Sequence, residues 1–294
     1  MSTLTITTIQ SNLHWEDKAA NLQMFDEKIR QLQQKTEVVI LPEMFSTGFS
    51  MQPEKLAEKM DGVTVTWMKK LSAEKKIILT GSLIIESAGN YYNRLIWMLP
   101  NGQYGVYDKR HLFGYGQEDQ HYTPGSKRLI ASVKGWKINL QVCYDLRFPV
   151  WGRQKPDAST LADLVASELE AKDFPLPPTE EGGASAVAPD FAPEYDVLVY
   201  VANWPERRNH AWKTLLQARA IENQCYVVGV NRVGNDGNGI YHNGDSMIVD
   251  ALGTVMYTKP KEEDIFTITL QKEPLDETRN KLPFLKDADR FIIA

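Results

Sequence analysis

Residues 138–149 read Ile138-Asn139-Leu140-Gln141-Val142-Cys143-Tyr144-Asp145-Leu146-Arg147-Phe148-Pro149. An apolar, alternating stretch that predicts a strand over 137–142 runs directly into a thiol, then into a polar turn closed by Pro149. The same design occurs twice upstream. Val38-Val39-Ile40-Leu41-Pro42 delivers Glu43, and Val106-Tyr107-Asp108 delivers Lys109. Rigid strands with reactive groups at their ends are a recurring way to build a site. Taken singly, each residue has a plainer reading: a loop charge, a surface amine, a small buried side chain.

Outward from these stretches, strands and helices alternate. Strands are predicted at Thr3–Gln10, 37–41, 77–86, 91–99, 103–109, Leu129–Val133 and 137–142. After a break they resume at 196–201, Tyr226–Val230, 245–250, 254–257 and 265–270. Apolar spacing predicts helices over 15–35, 64–74 and 208–224, with a short one after Leu275. Hairpins mixed with crossovers indicate a layered α/β fold with mixed sheets. The whole of 1–294 is expected to be one domain.

Residues 154–193 depart from the pattern. They carry eight acidic residues against Lys155 and Lys172, and are rich in Ala and Pro. Leu161, Leu164, Val165 and Leu169 predict one amphipathic helix over 161–171, capped by Thr160 and Asp163. The segment is expected to be a peripheral acidic insertion.

Composition sets further bounds. The chain has 294 residues, 43% of them hydrophobic and 24% charged, with seven Trp, twelve Tyr and ten Phe. Such a chain can bury a large core, which excludes disorder throughout. No apolar run approaches the ~20 residues of a membrane span. A net charge of −5 gives no footprint for nucleic acid. The two cysteines make no disulfide framework, and with no visible signal peptide a cytoplasmic location is expected. The five His are scattered, so neither a metal nor another cofactor is expected.

Three words, Leu41-Pro42-Glu43-Met44-Phe45, Tyr107-Asp108-Lys109-Arg110-His111-Leu112-Phe113 and Val142-Cys143-Tyr144-Asp145-Leu146-Arg147-Phe148-Pro149, stand in that order at wide spacing. Together they resemble the Glu-Lys-Cys signatures of the nitrilase superfamily of carbon–nitrogen hydrolases. The resemblance covers 3–153 and 195–294. It implies an αββα sandwich, with two sandwiches stacked in a dimer. The Cys143 word, Tyr200-Val201-Ala202-Asn203-Trp204-Pro205 and Ala218-Arg219-Ala220-Ile221-Glu222-Asn223-Gln224 are similar to the omega-amidase branch, which hydrolyses the distal amide of 2-oxoglutaramate and 2-oxosuccinamate. Alternatives of the same mechanism are a deaminated glutathione amidase and an N-carbamoyl hydrolase. A non-catalytic scaffold is the alternative from another class.

The resemblance assigns Cys143 as nucleophile and Glu43 as base. Lys109 and the backbone N–H of Tyr144 would form the oxyanion site. Glu118, rather than its neighbour Asp119, would orient Lys109. A small 2-oxo acid amide needs a cationic wall for its carboxylate, for which Arg147, Arg207 and Arg208 are candidates. Arg147 has a structural alternative, pairing with Asp145 or Asp196. Phe45, Tyr115 and Trp204 are candidate pocket walls, and Cys225 is expected to be a buried small residue.

Overall fold

Strand β1 (Thr3–Gln10) opens the chain and is buried along most of its length. The computed structural model describes residues 2–154, 192–289 and 291. The predicted helix over 161–171 lies outside the described residues. Helix α1 (Lys18–Arg30) is shorter than its apolar spacing suggests. Asp17 caps it, accepting from Ala20 N at 3.0 Å, and this fixes the first turn after Trp15. The next elements are β2 (Val38–Ile40), α2 (Pro53–Leu56), α3 (Val63–Lys75), β3 (Ile78–Ser87), β4 (Asn90–Met98) and β5 (Tyr104–Asp108). They are followed by α4 (Glu118–His121), β6 (Leu129–Val133), β7 (Trp136–Val142) and α5 (Pro149–Gly152). The second half contains β8 (Val197–Val201), α6 (Asn209–Asn223), β9 (Tyr226–Val230), β10 (Val233–Asn235) and β11 (Tyr241–Val249). It ends with β12 (Val255–Pro260), β13 (Asp264–Gln271) and α7 (Lys272–Lys281).

The strands form two mixed sheets. One has the order β13-β1-β2-β3-β4-β5, the other β10-β11-β9-β8-β7-β6 with β12 beside β11. At the centre of each lies a parallel trio, β1-β2-β3 and β7-β8-β9. The sheets pack face to face through Ile6, Val38 and Ile40 on one side and Ile138, Leu140 and Val199 on the other. Leu22, Phe25 and Met68 of α1 and α3 cover the outer face of the first sheet. Trp212, Leu216 and Ala220 of α6 cover that of the second. This is the αββα layering expected of the fold class. It explains why β2 is uniformly apolar: Val38 and Ile40 face the other sheet while Val39 faces the helices.

Strand β11 starts earlier than its sequence predicts. Asn243-Gly244-Asp245 has the composition of a turn, yet it is a bulge within the strand, with φ of +74° at Gly244 and +55° at Asp245. A Cβ at Gly244 would meet the Gln10 side chain at 2.3 Å, so the glycine is required there.

Candidate active site

Four carboxyl ends of strands converge. β2 is followed by Glu43, β5 by Lys109, β7 by Cys143 and β8 by Asn203. The first two ends belong to one sheet and the last two to the other. Sharp backbone turns set the side chains. Met44, directly after Glu43, has φ +42°, and Cys143 itself has φ +44°. Both are left-handed conformations that cost a non-glycine residue energy. The Glu43 turn is pinned by Met44 N donating to Ser82 Oγ (2.8 Å) and by Phe45 N donating to the Ser82 carbonyl (3.2 Å). Lys109 N donates to the Asn93 carbonyl at 3.0 Å, and the Lys109 carbonyl accepts from Gly125 N at 2.9 Å.

Glu43, Lys109 and Glu118 are at most 1% exposed and lie beneath Cys143. Lys109 Nζ donates to Glu43 Oε1 at 2.9 Å and to Glu118 Oε2 and Oε1 at 2.8 and 3.0 Å. Asn93 Nδ2 spans the same two carboxylates, at 2.8 Å to Glu43 Oε1 and 3.1 Å to Glu118 Oε1. Phe113 N completes Glu118 at 2.6 Å. The other oxygen of Glu43, Oε2, accepts from Asn203 N at 2.8 Å, and Asn203 Nδ2 donates to the Glu43 carbonyl at 2.6 Å. The charge of Glu43 acts on the Cys143 thiol more than that of any other group around it.

Electrostatics follows from this burial. Desolvation works against the Lys109 ammonium, but the charges of Glu118 and Glu43 outweigh it and raise its pKa, so it stays charged. Glu118 is held above the usual carboxylate range by burial, against the pull of Lys109 and with a further push from Glu43. Burial, then the Glu43 charge, pushes the Cys143 thiol well up, so at rest it is a thiol. A thiol in that state can act as a nucleophile only with a base beside it, and Glu43 is the carboxylate whose charge acts on it most.

Cys143 forms the floor of a cleft of about 170 Å³. Tyr144, Asn203 and Trp204 lie beside it, and Phe49, Phe113 and Tyr115 wall one side. Arg147, Arg207 and Arg208 also line it. The Arg147 guanidinium lies 5.0 Å over the Trp204 ring, and that of Arg208 lies 5.0 Å over Phe113 and 5.9 Å over Tyr115. Among the described residues, none of the three arginines has a carboxylate within ion-pair distance. Burial, then Arg207, lowers the pKa of Arg208. One acidic residue, Asp236, also lines the cleft, with Oδ1 occupied by the N–H groups of Asn238 and Ile240.

The structure thus brings together Glu43, Lys109, Glu118, Cys143, Tyr144, Tyr115, Trp204 and the three arginines. It does not place Phe45 there. Phe45 is fully buried and packs edge-on against Phe25 at 5.5 Å in the core under α1 and α3. Its side chain leaves the turn on the side away from Glu43, which explains the difference. The proposed pairing of Arg147 with Asp145 or Asp196 is absent too. Asp145 is taken by Tyr107 Oη, His111 and Val142 N, and Asp196 by Lys272 and Arg279. Asp119 is exposed, whereas Glu118 is buried. Cys225 is buried, with its thiol pushed up to about 12 by burial.

Two site residues escape the sequence reading, Asn93 and the side chain of Asn203. The available signal for Asn93 was a small polar residue inside the otherwise bulky strand Tyr91-Tyr92-Asn93-Arg94-Leu95-Ile96. Phe49, Asp236 and His242 of the cleft gave no signal, since they come from loops and from strand β11, far apart in the chain.

Comparison with known proteins gives three kinds of match. The sequence profile of the family described as "Carbon-nitrogen hydrolase" matches residues 5–155 and 191–280. "Omega-amidase YafV" of Yersinia enterocolitica is 37% identical over 294 residues, covering all of both chains. "2-oxoglutaramate amidase" of Bacillus subtilis (strain 168) is 27% identical over 286 residues, covering 96% of each. The crystal structure of XC1258 from Xanthomonas campestris is described as a CN-hydrolase superfamily protein with an arsenic adduct in its active site. It superposes with a TM-score of 0.87 at 38% identity over the full length of both chains.

Proposed function

The chain belongs to the carbon–nitrogen hydrolase family, and from that premise we propose that it is an omega-amidase, releasing ammonia from the distal amide of a small 2-oxo dicarboxylate monoamide. The observation that carries this is the pairing of two opposite features. A buried Glu43–Lys109–Glu118 cluster lies under the Cys143 thiol, and arginines without carboxylate partners line the cleft above it. Relatives named omega-amidase and 2-oxoglutaramate amidase support the same substrate class.

In the mechanism, Glu43 takes the thiol proton as Cys143 Sγ attacks the amide carbon. Charge develops on the former carbonyl oxygen. The Lys109 ammonium and the backbone N–H of Tyr144 stabilise it at the floor of the cleft, where donors already in place count for more than they would in bulk water. Glu43 then passes its proton to the amide nitrogen, ammonia leaves, and a thioester remains. Water, deprotonated by Glu43, attacks the thioester and releases the dicarboxylate with the thiol restored. Glu118 holds Lys109 in place and balances its charge throughout. No step needs a metal or another cofactor.

The size and charge of the cleft support the branch that acts on small acids. At about 170 Å³ it is below the ~300–1,000 Å³ typical of sites for drug-sized ligands, which suits a compound of about ten heavy atoms better than a tripeptide-like one. Its cationic wall would receive the carboxylate next to the 2-oxo group through Arg147 or Arg208, whose planar forks suit bidentate pairing. Arg147→Ala and Arg208→Ala are each expected to raise KM for 2-oxoglutaramate about 10–100-fold, with a smaller change in kcat. A steady-state series in which both variants keep the parent KM would remove the arginines from substrate binding.

Ammonia release measured on 2-oxoglutaramate, deaminated glutathione, glutamine and N-carbamoyl-β-alanine tests the substrate class. Preference for the first supports it. Preference for deaminated glutathione, or equal kcat/KM for glutamine, overturns it and leaves the thiol mechanism in place. We further place the enzyme in the cytoplasm as a homodimer. Exposed Val150, Ile221 and Leu252 around α5 and α6 support an interface there, and the mass in solution tests it. Among the described residues no helix is long and apolar enough to cross a membrane.

A further inference from the structure

Asn203 has a free end. Its backbone N–H is spent on Glu43 Oε2 and its Nδ2 on the Glu43 carbonyl. The second bond fixes the amide: turning it over would set Oδ1 against another carbonyl oxygen. Oδ1 is left buried with no partner, on a residue only 6% exposed that lines the same cleft as Cys143. An unpaired buried acceptor carries a standing cost that a bound donor relieves. A carboxamide attacked by Cys143 carries two such donors. Glu43 Oε1 is held by Lys109 and Asn93, so Oε2 is the oxygen better placed to serve the leaving nitrogen, and Asn203 stands on Oε2.

We propose that Asn203 Oδ1 accepts an N–H of the scissile carboxamide, making Asn203 a specificity residue for amides. This rests on the amidase function proposed above. In the tetrahedral intermediate the amine nitrogen must turn its lone pair toward the proton on Glu43. An acceptor for one of its two N–H groups fixes that rotation. An ester has no N–H to give, so its alkoxy oxygen meets Oδ1 as acceptor against acceptor. The carboxylate product likewise meets an acceptor, which favours its release.

The test compares kcat/KM for a monoamide and the matching monomethyl ester, on both 2-oxoglutarate and glutarate. This parameter reports acylation, before the thioester common to both. In Asn203→Ala the amide value is expected to fall roughly 10–100-fold and the ester value by no more than about 3-fold, so the amide-to-ester ratio collapses on both acids. A purely structural role in holding Glu43 would lower both equally, and that result overturns the proposal. Loss of the preference for the 2-oxo acid with the ratio still collapsing counts against the proposed substrate class alone. A parent enzyme that hydrolyses neither pair overturns both. A second measurement does not depend on folding of the Asn203 variant. In a crystal of Cys143→Ala with 2-oxoglutaramate, the amide nitrogen is expected within about 3.2 Å of Asn203 Oδ1. A nitrogen seated beyond hydrogen-bond reach of Oδ1 overturns the assignment.

Discussion

Cys143→Ala is expected to lower ammonia release by at least about 10⁴-fold while leaving the melting temperature within a few degrees of the parent. The thiol opens to the cleft above Glu43, Lys109 and Glu118, and none of those three offers a nucleophile in its place. Alanine fits the space and meets the same left-handed backbone, so the fold keeps its turn. Cys225→Ala is the control. Its thiol is buried under α6 away from the cleft, with a pKa pushed up to about 12, and its removal is expected to leave turnover near the parent value. Ammonia assays on the two purified variants decide the matter. Activity surviving in Cys143→Ala would remove the thioester route altogether.

Lys109→Met has the second large effect, on two observables at once. It removes the cation that Glu43 and Glu118 share, leaving two fully buried carboxylates joined only through Asn93. Turnover should fall by at least about 10³-fold through loss of oxyanion stabilisation. Breaking a buried ion cluster from one side should also cost about 3–5 kcal/mol of stability at neutral pH. The pH dependence has a definite sign. With the cation gone, the pair binds a proton in the folded state at a higher pH than in the unfolded chain. Stability is therefore retained below the ordinary glutamate pKa of about 4.3 and lost as pH rises above it. Denaturant melts at pH 4 and pH 7 check this. A variant equally stable at both would mean that the carboxylates are not coupled through Lys109.

Much of this was legible in the chain. Strands that carry apolar residues on both faces, such as Val38-Val39-Ile40, announce a layered fold because only a sheet covered on both sides tolerates them. Glu43, Lys109 and Cys143 each follow a strand end, but that position alone left a plainer reading for each, and it was the three words around them that singled them out. Phe45 was misplaced because adjacency along the chain says nothing about which side of a turn a ring leaves. The extent of β11 was misjudged because Asn243-Gly244-Asp245 has turn chemistry, and only the Gln10 side chain packed against Gly244 shows it to be a bulge. Asn93 and Asn203 were missed for a different cause. Their importance lies in which atoms they satisfy, and a hydrogen-bond tally exists only once the chain is folded.

The origin of the site in both sheets has a consequence for how this sequence can drift. Glu43 and Lys109 are carried by one sheet, Cys143 and Asn203 by the other, and the spacing between them is set by the apolar layer that includes Ile6, Val38, Leu140 and Val199. A methyl group lost from that layer costs only about 1 kcal/mol, which most folds survive. Here any settling of the sheets after such a loss would also change the gap between thiol and carboxylate. Selection on turnover therefore reaches deep into the core, and positions that look like anonymous filling should accept fewer substitutions than their contribution to stability alone would permit.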